Sequence, residues 1–372
     1  MLPGLEFFFA ATCHGVPISR RQLLAGSAAL LATGVVRPSF GRAGDDGAAI
    51  VRQYASLPDD PWAVCHGLRA MGRDFTVKGG QSAVDFLLET HLASVPASGK
   101  TALAFPPEVE VHPNMFLKTM LEAGVPLSYT FTHQGSRRSL RDVLDGARAL
   151  FRPTKVSGSP NMLPWSVIAF SRTTPPARRR WTNAWDEPVD LDPVVETSLE
   201  LLEQASLPLM QAMREGKSES VKAPVHSFTC AGTHMLYALL TAMHTGYAGA
   251  DRRERTQRQV NLLVWRLTAD VALIERFYKE RAAENGAYWF ELDSKVKILG
   301  HAEECLAFGV RHGVVTLTPA QQAQRKAATA TLRRLLGDME ERNMKEAQAV
   351  NPELFRQLVG DACHARHGLT LT

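Results

Sequence analysis

The 372-residue chain is 45% hydrophobic, enough to build one large core or two modest ones. Its formal charge of +4 is concentrated at the start, where Arg20, Arg21, Arg37 and Arg42 face only Glu6 in the first 43 positions, and the remainder is close to neutral. That balance excludes a strongly basic nucleic-acid-binding protein, and ordinary Gly and Pro contents exclude a disordered or fibrous chain.

In chain order, the first feature is Ser19-Arg20-Arg21-Gln22-Leu23-Leu24, which leads into an apolar stretch of Leu and small residues ending at Val36. This stretch falls short of the about 20 residues that a membrane span needs. The motif resembles the twin-arginine export signal. The resemblance implies a removable leader over residues 1–43, with small residues at Gly41 and Ala43 framing a cleavage site. It also implies recognition by the twin-arginine translocation machinery and a periplasmic or extracellular mature protein. Proteins on that route cross the membrane folded, often with a cofactor already inserted. No later segment is apolar for long enough to cross a membrane, so no permanent span is expected.

Residues 44–372 read as a single, mainly helical domain. Asp60-Pro61 pairs a cap with a first-turn proline and opens "WAVCHGLRAMG". Ser82 caps "AVDFLLETHLA", and Ser139 with Asp142 forms a capping box before "LRDVLDGARALF". Only "TALAF" and "PLSYTFTH" have strand character, predicting one small β pair in an irregular, loop-rich insertion around 96–192. Within it, 153–192 is rich in proline and carries three Trp, the composition of a long loop that covers a site. "DPVVETSLELLEQASLPLMQAMREG" predicts one or two helices with Pro208 as the kink or break. Apolar positions recur at helical spacing from Arg255 to Ala282. Thr318-Pro319 and Asn351-Pro352 start two more helices, ending near Gln348 and Arg366, with Gly368 suited to the last cap. The class is all-α, a helical toroid or large helical bundle of ten or eleven helices with a small irregular or β insertion.

The chemistry lies in Cys and His. Each of the five cysteines has a His within four residues: Cys13-His14, Cys65-His66, Cys230 with His234, His301 with Cys305, and Cys363-His364. Cys230/His234 and His301/Cys305 are spaced i, i+4, which on a helix places both members on one face. Two such helices face to face would offer two thiolates and two imidazoles, a set suited to tetrahedral zinc. With three ligands bound, the open position would admit a catalytic water. The same residues also suit a buried core, or two disulfides in an oxidising compartment. His301 and Glu304, three apart, form an alternative acid/base pair. His133, followed by Arg137 and Arg138, could bind an anionic substrate group. Arg69 and Asp74 are placed to hold each other.

Cys65-His66-Gly67 on a helical chain resembles a zinc motif of the lanthionine-synthetase cyclases, which are α/α toroids. That resemblance implies Cys65 and His66 as zinc ligands, Cys230 as the third, and activation of a thiol. The chain has no phosphate-binding loop, GxGxxG, Gly-x-Ser-x-Gly, His-Glu-x-x-His or Cys-x-x-Cys-His motif, so dinucleotide, P-loop, common serine hydrolase and covalent haem chemistry are not indicated. Three readings stay open. The first is an exported zinc-assisted hydrolase or lyase with a cleft built from His66, His234, His301 and Glu304, acting on a small-molecule or polymer substrate. The second is a non-catalytic metal- or ligand-binding protein. The third is a helical interaction scaffold.

Overall fold

The structure, a computed structural model, describes residues 46–156 and 159–371. The leader motif lies outside them. Eleven helices of eight residues or more occur among the described residues. They are α1 (Pro61–Met71), α2 (Ala83–His91), α3 (Met115–Glu122), α4 (Leu140–Leu150), α5 (Leu163–Thr173), α6 (Leu191–Arg214), α7 (Thr233–His244), α8 (Ala250–Lys279), α9 (Ala287–Arg311), α10 (Pro319–Glu341) and α11 (Pro352–Thr370). Three antiparallel hairpins interrupt them: β1–β2 (Ala93–Ala97, Lys100–Ala104), β3–β4 (Thr130–His133, Ser136–Ser139) and β5–β6 (Arg180–Thr182, Pro188–Asp190). The fold is all-α with small β insertions.

The caps act as the sequence predicts. Asp60 accepts from the Ala63 amide at 3.1 Å to start α1, the Ser139/Asp142 capping box starts α4, and the Asn351 side chain accepts from Glu353 and Leu354 amides to start α11. Other expectations are corrected. One β pair becomes three hairpins. Residues 153–192 are not a long loop: Pro164 sits in the first turn of α5, where its missing N–H costs nothing, and every residue from Leu163 to Ser171 is buried. Complete burial leaves no amphipathic period to read. Pro208 lies inside a continuous α6 without breaking it. Helix α8 starts at Ala250, before the apolar period, because Arg252 and Arg255 on its first turns pair with Asp192, Glu196 and Glu203 of α6. Helix α10 stops at Glu341, and the Asn343 side chain accepts from the Lys345 amide to begin a separate short helix, Lys345–Val350.

Helix α9 is the axis of the bundle, packed against α7, α8, α10 and α11, and every residue from Val296 to Gly309 is buried. Its most extensive partner is α11. The two run parallel with a constant offset: Lys297 meets Gln357, His301 meets Asp361, Glu304 meets His364 and Arg311 meets Leu371, each 60 positions apart. Small residues let the backbones close. A Cβ on Gly368 would lie 2.6 Å from the Glu304 amide nitrogen, and one on Gly300 would lie 3.0 Å from the Ala365 Cβ. Gly368 is therefore not a cap. The helix continues through it to Thr370 because the contact with α9 requires a residue without a side chain.

Candidate metal centre

The close α9–α11 contact carries a ladder of polar groups, all buried except the half-buried His367. Asp293, Lys297, His301 and Glu304 follow one another along one face of α9, and Gln357, Asp361, His364 and His367 do so on α11. Lys297 Nζ reaches Asp293 at 2.9 Å and Gln357 at 3.0 Å; His301 Nε2 reaches Asp361 Oδ1 at 3.2 Å. Further along, the Glu304 carboxylate accepts from His364 Nδ1 at 3.0 Å, His367 Nδ1 at 2.6 Å and Arg69 Nε at 2.6 Å. Burial alone would neutralise this acid, but Arg69 and then His364 hold its carboxyl well below the usual range. Asp361 is likewise kept low, against burial, by Lys297 and His301.

Helix α1 supplies a second wall. Trp62, His66 and Arg69 recur at i, i+4 and i+7, with Cys65 on the flank of the same face. Arg69 spans Glu304 and Glu122, and Lys118 reaches Glu122 at 2.7 Å. Burial opposes the charge on Glu122, yet Arg69 and Lys118 bring it down to about 2. The suggested Arg69–Asp74 pair does not form: Arg69 is buried in this network, while Asp74 is exposed beside Arg73.

Four imidazoles gather between these walls. The His301 and His364 ring centres are 3.9 Å apart, His234 lies 4.7 Å from His301 and 5.1 Å from His364, and His66 lies 5.1 Å from His364. All four are buried. Burial, then the neighbouring His301, lowers the pKa values of His234 and His364, so both stay neutral. The acceptors fix three tautomers. Glu304, Asp361 and the Trp62 carbonyl can only accept, so His364 donates from Nδ1, His301 from Nε2 and His66 from Nδ1, the last at 2.7 Å. The second ring nitrogen, Nε2 of His364 and Nδ1 of His301, is not engaged by these carboxylates. Two ligand sets have donor atoms within 4.8 Å of one another: Cys230, His234 and His301, and His301, Glu304 and His364.

Cys230 and His234 thus come together, but not as adjacent turns of one helix. Helix α7 begins only at Thr233, and Cys230 (φ 49°), Ala231 (φ 53°) and Gly232 (φ 84°) are all left-handed. Two non-glycine residues in that region cost about 1–2 kcal/mol each. Arg266 of α8 braces the turn by donating to the Ala231 carbonyl at 2.8 Å. Cys305 takes a different role from the one its spacing suggests. Its Sγ donates to the Thr233 carbonyl at 3.3 Å, and burial with the adjacent Glu304 pushes its thiol pKa up. The Cys65 thiol, beside Thr119, is pushed by burial to about 12. Cys65, Cys230, Cys305 and Cys363 are all buried and no disulfide joins them, so the two-disulfide alternative is not realised.

A small cavity adjoins the cluster, with about 20 Å³ of room for the centre of a water molecule. His66, His234 and His364 open onto it, whereas His301 and Glu304 stand behind them. His133 is buried on the β3–β4 hairpin, and exposed Arg137 bonds Thr130 at 3.3 Å; neither lines the cavity. Sequence reasoning missed Asp361, His364 and His367 as parts of the cluster, although "DACHARH" spaces them along one helix face. It also missed His112, Lys118 and Glu122, for which no motif offered a signal. No known protein family, characterised protein or solved structure matches this chain.

Proposed function

We propose that this protein is an exported metalloprotein whose centre is built from Cys230, His234, His301 and His364, with zinc as the metal that a mixed thiolate and imidazole set favours. One observation carries the reading: Cys230, His234 and His301 bring donor atoms within 4.8 Å of one another, as do His301, Glu304 and His364, and the His301 and His364 rings are each oriented by a buried carboxylate, Asp361 and Glu304. This is how outer partners orient metal-binding histidines. The strained backbone at Cys230 supports it, since strain persists where the surroundings impose a function.

We favour a hydrolase or lyase. Bound zinc would lower the pKa of a water and polarise a substrate oxygen. The adjoining cavity has room for that water. Acid/base catalysis by His301 and Glu304 alone is less suited to the geometry, because Glu304 already accepts three charge-assisted bonds and His301 is turned to Asp361. The size of the cavity favours a small molecule over a polymer. The burial of all four ligands supports a second reading, a closed and non-catalytic site. Export by the twin-arginine machinery to the periplasm or beyond is part of the proposal and rests on Arg20-Arg21.

Mass-spectrometric metal analysis of protein purified without chelator tests the reading. About one zinc per chain is expected, and it should be lost in His234→Ala and His301→Ala variants that keep their helical circular dichroism. Metal-free wild-type protein with an intact fold would overturn it in favour of a scaffold. Cobalt substitution separates the two metal readings. A spectrum that responds to added azide indicates an open position, and an unresponsive tetrahedral spectrum indicates a closed one.

A further inference from the structure

The cavity is asymmetric in charge. Two cations, Arg69 and Lys118, and four histidines, His66, His112, His234 and His364, line it, and no carboxylate does. The acids that balance the cations, Glu122 and Glu304, lie behind them. An uncharged or cationic guest would gain little from such walls, whereas an anion would meet the Arg69 and Lys118 donors.

His112 supplies an independent observation. It is 4% exposed and lies face to face on Trp165, ring centres 3.8 Å apart and planes within 7°. Both of its ring nitrogens are buried without a hydrogen-bond partner. A neutral imidazole carries one N–H and one lone pair, and leaving such groups unsatisfied in a core is costly unless something binds them. The placement is also well supported. Glu110 accepts from the Asn114 and Phe116 amides at 2.9 and 2.6 Å, and the Asn114 side chain donates to Ser166 at 2.8 Å, fixing the turn that carries His112. A packing role alone would be served better by phenylalanine.

We infer that the cavity is a binding site for a one-carbon oxyanion, of the formate or bicarbonate class, held between His112 and the Arg69/Lys118 pair. Trp62 and Trp165 limit its size, since Trp165 is stacked on His112 and Trp62 lies against His66 with ring centres 3.9 Å apart and planes tilted by 39°. Space for little more than one water centre excludes larger guests and limits an anion to about three or four heavy atoms, seated with small adjustments of the side chains. The site goes beyond the metal reading, because its cations and His112 come from α1, α3 and the turn before α3, none of which supplies the proposed metal ligands.

The test is thermal unfolding of the mature protein in sodium formate, sodium bicarbonate or sodium chloride at equal ionic strength, with formamide as the uncharged isostere of formate. Formate or bicarbonate should raise Tm by about 3–5 °C over chloride at a hundredfold excess over Kd. Formamide, and benzoate as an oversized carboxylate, should not. His112→Phe preserves the stack on Trp165. It should unfold at or above the wild-type Tm without ligand, yet lose the formate-induced rise. No rise over chloride in the wild type, an equal rise with formamide, or an undiminished rise in His112→Phe would each overturn the inference. Metal content measured on the same samples keeps the two proposals apart. A His112-dependent rise in metal-free protein upholds the anion site and removes the metal centre, and one zinc per chain with no rise does the reverse.

Discussion

Replacing Gly368 by alanine places the smallest possible wedge between α9 and α11. The added Cβ would lie 2.6 Å from the Glu304 amide nitrogen and 2.9 Å from its Cα, both backbone atoms that cannot rotate away. Restoring ordinary contact needs a separation of about 0.8 Å, and forcing a methyl group into a packed interior costs about 1–3 kcal/mol. The same displacement would stretch the 3.0 Å bond between His364 and Glu304 beyond hydrogen-bonding range. A buried carboxylate that loses partners adds to that cost, so we expect about 4 kcal/mol in total. Gly337 on α10 is the control: nothing lies within 4 Å of its Cβ position, and Gly337→Ala should stabilise by about 0.5–1 kcal/mol through helix propensity. Urea unfolding of the two variants gives the difference directly. A Gly368→Ala midpoint within about 0.5 kcal/mol of wild type would refute the close-packing argument.

Three further outcomes follow from the same geometry. Burial raises the Glu110 carboxyl from the ordinary 4.5 to about 8 against the pull of its two amide donors, so between those values the folded state binds the extra proton. Stability should therefore decline as pH rises through that window, by at most about 5 kcal/mol, and Glu110→Gln should flatten the profile measured by urea midpoints; parallel profiles would count against it. Glu122 is the opposite case: its folded pKa is depressed to about 2, so its contribution is present above pH 4.5 and disappears as pH falls towards 2. Arg69→Met should cost about 3–5 kcal/mol at neutral pH and shift acid unfolding to higher pH, and an unchanged acid midpoint would contradict the network. Finally, Cys305→Ser keeps a donor for the Thr233 carbonyl and should leave zinc content unchanged, whereas Cys230→Ser should lower it; equal losses would show that Cys305 is a ligand.

Helix starts were legible because they are local. Asp60-Pro61, Thr318-Pro319 and Asn351-Pro352 each put an acceptor and a compatible proline within one turn, and each starts a helix. Helix α5 was not, since a segment buried on every side has no period and its proline reads as loop. The candidate site was half legible. His66, His234, His301, Glu304 and Cys230 stand out by their spacing, but the reason Cys230 approaches His301 is a left-handed turn, not an i, i+4 helix face. Nothing within one segment announces that Asp361 would meet His301, or that His364 and His367 would meet Glu304. Those pairings depend on an offset fixed by glycines and small side chains at the helix contact. Arg69 illustrates the same point: Asp74 is its neighbour in sequence, but Glu122 and Glu304 are its partners.

The constant 60-residue offset between α9 and α11 also determines where the chain can change its length. Residues added or removed between Glu341 and Lys345 alter only the return path and leave both ladders facing each other. One residue inserted within α9 between Lys297 and Glu304 would rotate everything beyond it by about 100°. Lys297 would still face Gln357 while Glu304 turned away from His364. Length variation should therefore be tolerated in the connections and rejected inside the two helices, where each polar pair acts as a tooth in a fixed gear.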